Sequence, residues 1–317
     1  MKARRLGGTG LLVSELCFGT WEVGGARFGP VDAREAVGLL RSALDQGVTT
    51  YDLSNLYGNG RTEVIVGAAF RRCREEVVYV SKAGYVTGSD GAQELLDESD
   101  QEALQCFEEP ALLASCHESL RRLRTDYIDV FLLHDPSMVV LAREDVWEAL
   151  RSLKRDGKIG WFGASTSAGP QAALRAIDMG AEVLEFCVHM FDSESADRVV
   201  PQAQARGVGL LARSPFDMGR ILARREVIEP LLRQELGRNL VEAAIQFPLS
   251  YEGASAVVVG MINDRELNDD IAAFNARPLS VADLEAIARI VAANPATPSD
   301  PFSPKGVPHG QPGSEIG

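Results

Sequence analysis

At 317 residues, with 45% hydrophobic and 24% charged side chains, the chain has the composition of a folded globular protein, which excludes disorder for most of its length. Its formal net charge of -13 repels nucleic acid and anionic lipid, and no apolar run approaches the roughly 18 residues that cross a bilayer. The five cysteines (Cys17, Cys73, Cys106, Cys116, Cys187) form no C-x-x-C pair, MKARRLGGTG has no apolar signal-like core, and His117, His134, His189 and His309 lack ligand spacing, so a reducing cytoplasm and no metal are expected.

The opening RRLGGTGLLVSEL sets a Gly-rich turn between two alternating apolar pieces and predicts a β-hairpin closing one end of the fold. Eight short β-branched or apolar runs follow: LCFGTW (16–21), TTYDLS (49–54), VVYVSKAG (77–84), YIDVFLLHD (127–135), IGWFGAST (159–166), EVLEFCVHM (182–190), VGLLARSP (208–215) and ASAVVVGM (254–261). They are continuous runs, as in a parallel sheet buried on both faces.

Between them lie amphipathic helical patterns: AREAVGLLRSALDQG, RTEVIVGAAFRR, PALLASCHESLRRLR, VWEALRSLKRDGK, GPQAALRAIDMG, ADRVVPQAQARG, NLVEAAIQFPLS and DRELNDDIAAFN. Several stop at a glycine (Gly47, Gly157, Gly180, Gly207) suited to a left-handed C-terminal cap. Basic pairs such as Arg71-Arg72 and Arg121-Arg122 read as solvated helix faces. Eight strand-helix units with no break in composition predict an α/β fold, a (β/α)8 TIM barrel with an N-terminal β-hairpin, and SVADLEAIARIVAAN (280–294) adds an extra C-terminal helix. The expected organisation is one barrel domain over 1–294 and a Pro/Gly-rich tail over 295–317.

In such a barrel the active site forms at the C-terminal strand ends, and these ends are polar. The second strand finishes at Asp52 with Tyr57 in the loop beyond; the third ends Ser81-Lys82, the fourth His134-Asp135, the fifth Ser165-Thr166; the sixth carries Glu185; the seventh ends Arg213-Ser214-Pro215. Taken singly, Asp52 reads equally well as a turn cap, Lys82 as a snorkelling amine and His134 as a core histidine. Their convergence with Tyr57 at one mouth favours catalysis.

Carbonyl reduction suits this set. A phenol is too weak an acid at neutral pH unless a nearby cation stabilises its anion, and Lys82 is that cation, held charged and aimed by Asp52. His134 supplies a hydrogen bond to the carbonyl oxygen as charge grows there. A hydride donor completes the chemistry.

From RRLGGTGL to about residue 275 the sequence resembles the aldo-keto reductase superfamily. The family's Asp, four residues, then Tyr-Gly appears as YDLSNLYG; its Thr/Ser-Lys as VSKAG; its leucine-rich strand ending in His as DVFLLHDP; its Gly-x-Ser strand as FGAST. The resemblance implies a (β/α)8 barrel that binds an extended nicotinamide dinucleotide without a Rossmann domain, in keeping with the lack of G-x-G-x-x-G after the first strand. It implies Asp52, Tyr57, Lys82 and His134 as the catalytic tetrad, with Tyr57 as proton donor.

The same resemblance implies cofactor contacts from Gly19, Thr20, Trp21 and Asp52, from Ser165, Thr166 and Glu185 at the nicotinamide, and from Arg213 where an aromatic ring often stacks. Ser214, Pro215, Phe216 and Gly219 match a pyrophosphate-covering loop. Gly260, Ile262, Arg265, Glu266, Asp269 and Asp270 fall at the adenosine end, where Ile262 and Glu266 replace the expected basic ligands. NADP(H) is the family default and NAD(H) the alternative. The expected partner is a small carbonyl compound (aldehyde, ketone or keto-sugar), with Trp21 and Phe28 as candidate pocket walls. The competing functions are a redox-inert or regulatory dinucleotide-binding protein, and a sugar-phosphate isomerase, for which RSPFDMGR is a poor phosphate grip.

Overall fold

The computed structural model describes residues 1–25, 31–87 and 104–295. Among the described residues ten strands are formed: β1 (Ala3–Arg5), β2 (Leu12–Ser14), β3 (Leu16–Gly19), β4 (Thr50–Asp52), β5 (Val78–Ala83), β6 (Ile128–His134), β7 (Ile159–Thr166), β8 (Val183–Cys187), β9 (Gly209–Arg213) and β10 (Ala254–Gly260). β1 and β2 pair antiparallel, Ala3 opposite Ser14 and Arg5 opposite Leu12, as the predicted hairpin. β3 to β10 close into a parallel barrel in sequence order, β10 pairing with β3 through Gly260 and Gly19. All eight predicted strands are present, and the fold is the (β/α)8 barrel. The first is shorter than the run LCFGTW because the chain leaves the sheet at Gly19, and Trp21 leads into a 3₁₀ turn, Glu22–Gly24.

Side-chain alternation sorts the strands into two cores. Cys17, Val80, Val130, Leu132, Val183, Leu211, Ala256 and Val258 fill the barrel interior together with Leu6 and Val13 of the hairpin. Their sequence neighbours Phe18, Tyr79, Phe131, Leu184, Leu210 and Val257 face outward and pack with the helices. The hairpin plugs the N-terminal end, where Gly8 N donates to Gly207 O at 2.7 Å just before β9. Gly163 is required where β7 passes β8, because a β-carbon there would strike the carbonyl oxygen of Val183.

One alternation step beyond the inner apolar layer lies the polar layer. Val80 leads to Lys82, Leu132 to His134, Val183 to Glu185, Leu211 to Arg213, Cys17 to Gly19 and Val258 to Gly260. The inward direction of these groups therefore follows from the same period of two that buries the aliphatic side chains.

The predicted helices form, with ends shifted by up to three residues, and the extra helix spans Val281–Ala293. The helix Arg225–Leu236 was not expected, because Pro230 interrupts its pattern; the short helices Met138–Leu141 and Arg220–Ala223 fall below the length at which periodicity is legible. Arg122 departs from a solvated face. Its Nε donates at 2.7 Å to Glu63, a fully buried carboxylate that also accepts from Ser81 Oγ at 2.7 Å. Among the described residues no helix is long and apolar enough to cross a membrane, and the cysteines are free thiols. Phe28, most of the acidic insert after the third barrel strand, and the tail beyond Pro295 lie outside the described residues.

Candidate active site

β4 ends at Asp52 opposite Val80 of β5, so Lys82, two residues on, points inward just above the carboxylate. Its ammonium donates to Asp52 Oδ1, to Leu53 O at 3.1 Å and to the Tyr57 hydroxyl at 3.3 Å. Glu185 Oε2 stands 3.4 Å from the same nitrogen. Lys82 is fully buried, and the Asp52 and Glu185 side chains are 4% and 2% exposed. A buried ammonium with no water is costly unless donors and charge are matched, and these partners match them.

Tyr57 reaches this nitrogen because the chain turns back tightly after β4. Tyr57 N donates to Ser54 O at 3.2 Å and Asn59 N to Leu56 O at 3.0 Å. Gly58, Asn59 and Gly60 are all left-handed, with φ of 57°, 53° and 83°. That run is cheap only for Gly and Asn, which accounts for the sequence Gly-Asn-Gly ahead of the helix Arg61–Phe70.

His134, at the end of β6, stands edge-on to Tyr57 with ring centroids 5.9 Å apart, and edge-on to Tyr85 at 4.9 Å. Its Nδ1 lies 3.0 Å from Ser54 Oγ, which accepts from Leu56 N at 3.1 Å. A donation from this hydroxyl to Nδ1 places the imidazole proton on Nε2, the tautomer that can donate to a substrate oxygen. Burial pushes the imidazole down to about 4, so His134 is a neutral donor at physiological pH. Gln105 Nε2 donates to His134 O and Asp135 O, each at 3.1 Å, and fixes the strand end.

One expectation is corrected. Burial pushes the Tyr57 phenol above its ordinary range; Lys82 pulls it down, but Asp52 and Glu185 oppose that pull. The lysine aligns and polarises the hydroxyl without making it a phenolate. The carboxyls also differ from each other. Burial and the Glu185 charge hold Asp52 well above the carboxylate range despite Lys82, whereas at Glu185 the burial penalty is outweighed by Lys82 and Arg213 and the group stays ionised.

The remaining predicted residues divide into three groups. Ser165 Oγ donates to Glu185 Oε1 at 3.0 Å, while Thr166 Oγ1, Glu185 Oε2 and Arg213 Nε are buried without a hydrogen-bond partner. An unpartnered hydroxyl and an unpartnered carboxylate oxygen are groups that a carboxamide can satisfy, since its oxygen accepts and its NH₂ donates, so these strand ends fit a nicotinamide. Ser214, Asp217, Met218 and Gly219 all have positive φ in the loop around Pro215 and Phe216, a strained backbone of the kind kept for ligands. Thr20 is fully buried, and its hydroxyl donates to Asp52 O at 2.8 Å, which anchors the end of β4.

The far end is acidic. Glu266 accepts from Ile262 N at 3.0 Å and from Asn263 Nδ2 at 3.1 Å, capping its own helix, Asp264–Asn275. Arg265 is 91% exposed, with Asp269 at 3.9 Å, and Asp270 is turned inward. Burial, then Glu266 and Asp269, push Asp270 up to about 7. Glu22, unforeseen in the sequence, lays its carboxyl against Gly260, and burial with the Glu266 charge pushes it up to about 7.

Ser54 and Gln105 were also unforeseen. Ser54 shares inward parity with Asp52, a signal that was available; Glu22 opens a three-residue 3₁₀ turn and Gln105 makes a lone bridge to Tyr85, both too short for a period to announce direction.

The sequence matches the model of the Aldo/keto reductase family over residues 15–292. Aldo-keto reductase YhdN of Bacillus subtilis (strain 168) is 28% identical over 206 residues, a match spanning 64% of this chain and 59% of that protein's length. Pyridoxal 4-dehydrogenase of Microbacterium luteolum is 27% identical over 316 residues, 86% of this chain and 92% of that one. Among solved structures, the holo form of aldo-keto reductase AKR11C1 from Bacillus halodurans aligns with a TM-score of 0.78 at 25% identity, covering 92% of this chain and 96% of that one.

Proposed function

This chain belongs to the aldo/keto reductase family, and from that premise we propose that it reduces a carbonyl compound, an aldehyde, ketone or keto-sugar, to the alcohol, with Tyr57 as the proton donor. The observation that carries this reading is the 3.3 Å separation of Lys82 Nζ and Tyr57 OH at a mouth shared with Asp52 and His134.

When bound, a reduced nicotinamide supplies the hydride. Thr166 and Glu185 would hold its carboxamide, and the Arg213 guanidinium would support the ring. His134 donates from Nε2 to the substrate carbonyl oxygen, and Tyr57 transfers its proton to that oxygen as the negative charge develops. Lys82 then faces a phenolate at 3.3 Å and stabilises it. Ser54 keeps the imidazole in its donor tautomer.

At the adenosine end the acidic surroundings of Ile262 favour a dinucleotide without a 2′-phosphate more than the family default does, so NADH is a competent donor beside NADPH. The test is to mix the purified protein with NADPH or NADH and a panel of small aldehydes and sugars and follow nicotinamide absorbance. Turnover is the expected result. Tight dinucleotide binding with no turnover on any carbonyl would favour the redox-inert reading.

A further inference from the structure

We propose that Asp52 and Glu185 hold one proton between them across the Lys82 ammonium, and that this shared proton is the reserve that restores Tyr57 after it has given up its own. The catalytic half of this proposal rests on the reading of Tyr57 as donor; the shared proton does not.

Charge counting at the mouth leads to it. Lys82 contacts Asp52 and Glu185, and Arg213 lies 3.9 Å from Glu185 and 3.6 Å from Asp135. Two cations therefore face three carboxylates. Asp135 is 28% exposed, although its Oδ1 is buried toward Arg213, whereas the other two carboxyls are cut off from water altogether. An uncompensated negative charge in that place is costly, and a proton taken up by the buried pair removes it. Glu185 Oε2 has no hydrogen-bond donor in this arrangement, although it is buried and 3.4 Å from the nitrogen that Asp52 also touches. In the free protein, with no carboxamide to donate, a carboxylic acid O–H on its neighbour across that nitrogen is the donor it lacks.

The surroundings agree on where the proton goes. Cys17 on β3 is a neutral thiol, raised by burial and by the two carboxyls, and His134 on β6 is neutral. Lys82 on β5 and Arg213 on β9 hold Glu185 ionised, and Asp52 on β4 is left as the acid. The two carboxyls titrate as one unit, as carboxylates sharing a site do.

The transfer balances. Tyr57 O–H breaks as the substrate O–H forms; Lys82 gives a proton to the phenolate; the pair gives its proton to the resulting amine. The net change is one proton moved from the carboxyl pair to the alcohol product, with the hydride supplied by the reductase reaction, and solvent recharges the pair when product leaves.

Infrared spectroscopy tests the shared proton in the free protein. At neutral pH a carboxylic acid C=O band is expected that is lost both in Glu185→Gln, where Asp52 ionises against Lys82, and in Asp52→Asn, where Glu185 does. A band surviving in Glu185→Gln, or no band responding to either change, would overturn it. Circular dichroism checks that each variant is folded, and Glu185→Asp, which keeps the acid, is expected to retain the band. In rapid mixing, Glu185→Gln should lose more of its steady-state turnover than of its first-turnover hydride transfer, the ratio of the two falling about tenfold or more, the range of a lost proton-transfer group. Equal loss in both phases would remove the reserve role. Full activity in Tyr57→Phe would instead remove the donor reading and leave the infrared result standing.

Discussion

The ammonium of Lys82 lies 3.3 Å from the hydroxyl of Tyr57 and touches two carboxyls behind it, so the lysine is both the phenol's partner and the centre of a buried charge cluster. Removal of the cation in Lys82→Met leaves Tyr57 facing burial and two acids. The phenol's titration then moves further up. Alcohol oxidation, which needs the phenolate, should set in at higher pH than in the native protein, with a lower maximum, as pH-rate profiles in both directions will show. An unmoved profile would detach Lys82 from Tyr57.

Ser54→Ala removes the hydroxyl that is hydrogen-bonded to His134 Nδ1. The imidazole loses its enforced tautomer, and kcat/KM should fall roughly tenfold, in line with about 1.5 kcal/mol for one hydrogen bond. Nitrogen chemical shifts of His134 give the independent check: the native spectrum should report the proton on Nε2, the variant a mixture.

Much of this site was legible in the sequence because a parallel barrel imposes a period of two. Once Val80, Leu132 and Val183 are taken as inward, Lys82, His134 and Glu185 follow. What period cannot give is the balance of opposing charges. The lysine was legible as a cation beside Tyr57, but the excess of burial and carboxylate over it depended on Glu185 reaching the same nitrogen. Glu22 is a harder case, since its contact with Gly260 joins the loop after β3 to the end of β10. The helix Arg225–Leu236 escaped because a proline inside a helix reads as its boundary.

Glu22 offers a test through stability. Its folded carboxyl is raised to about 7 from an ordinary value of 4.5, so the folded state prefers the acid. Below the ordinary value Glu22 costs nothing; the cost builds as pH rises and is complete above 7. Glu22→Gln should leave stability at pH ~4 nearly unchanged and raise it at pH ~8 by about 1–3 kcal/mol. Urea unfolding at the two pH values is the measurement, and equal effects at both would show that the carboxyl is not buried against Gly260.

Glu266→Arg addresses dinucleotide choice. Replacing the acid beside Ile262 with a second cation near Arg265 should tighten NADPH by roughly ten- to a hundred-fold, the worth of one charge-assisted hydrogen bond, and leave NADH nearly unchanged. Fluorescence titration of both dinucleotides gives the Kd values. A native preference for NADPH above about a thousand-fold, near 4 kcal/mol, would mean that other cations reach the phosphate.

The proton donor itself is tested most directly by Tyr57→Phe, which removes one oxygen and leaves the ring in place. Single-turnover reduction of a reactive aldehyde, measured beside dinucleotide titration, separates chemistry from binding. The variant should bind dinucleotide within a few-fold of native and reduce the aldehyde at least about 10²-fold more slowly, the usual cost of a lost general acid. A variant that bound dinucleotide normally and kept most of the native rate would contradict the assignment of Tyr57 as the donor.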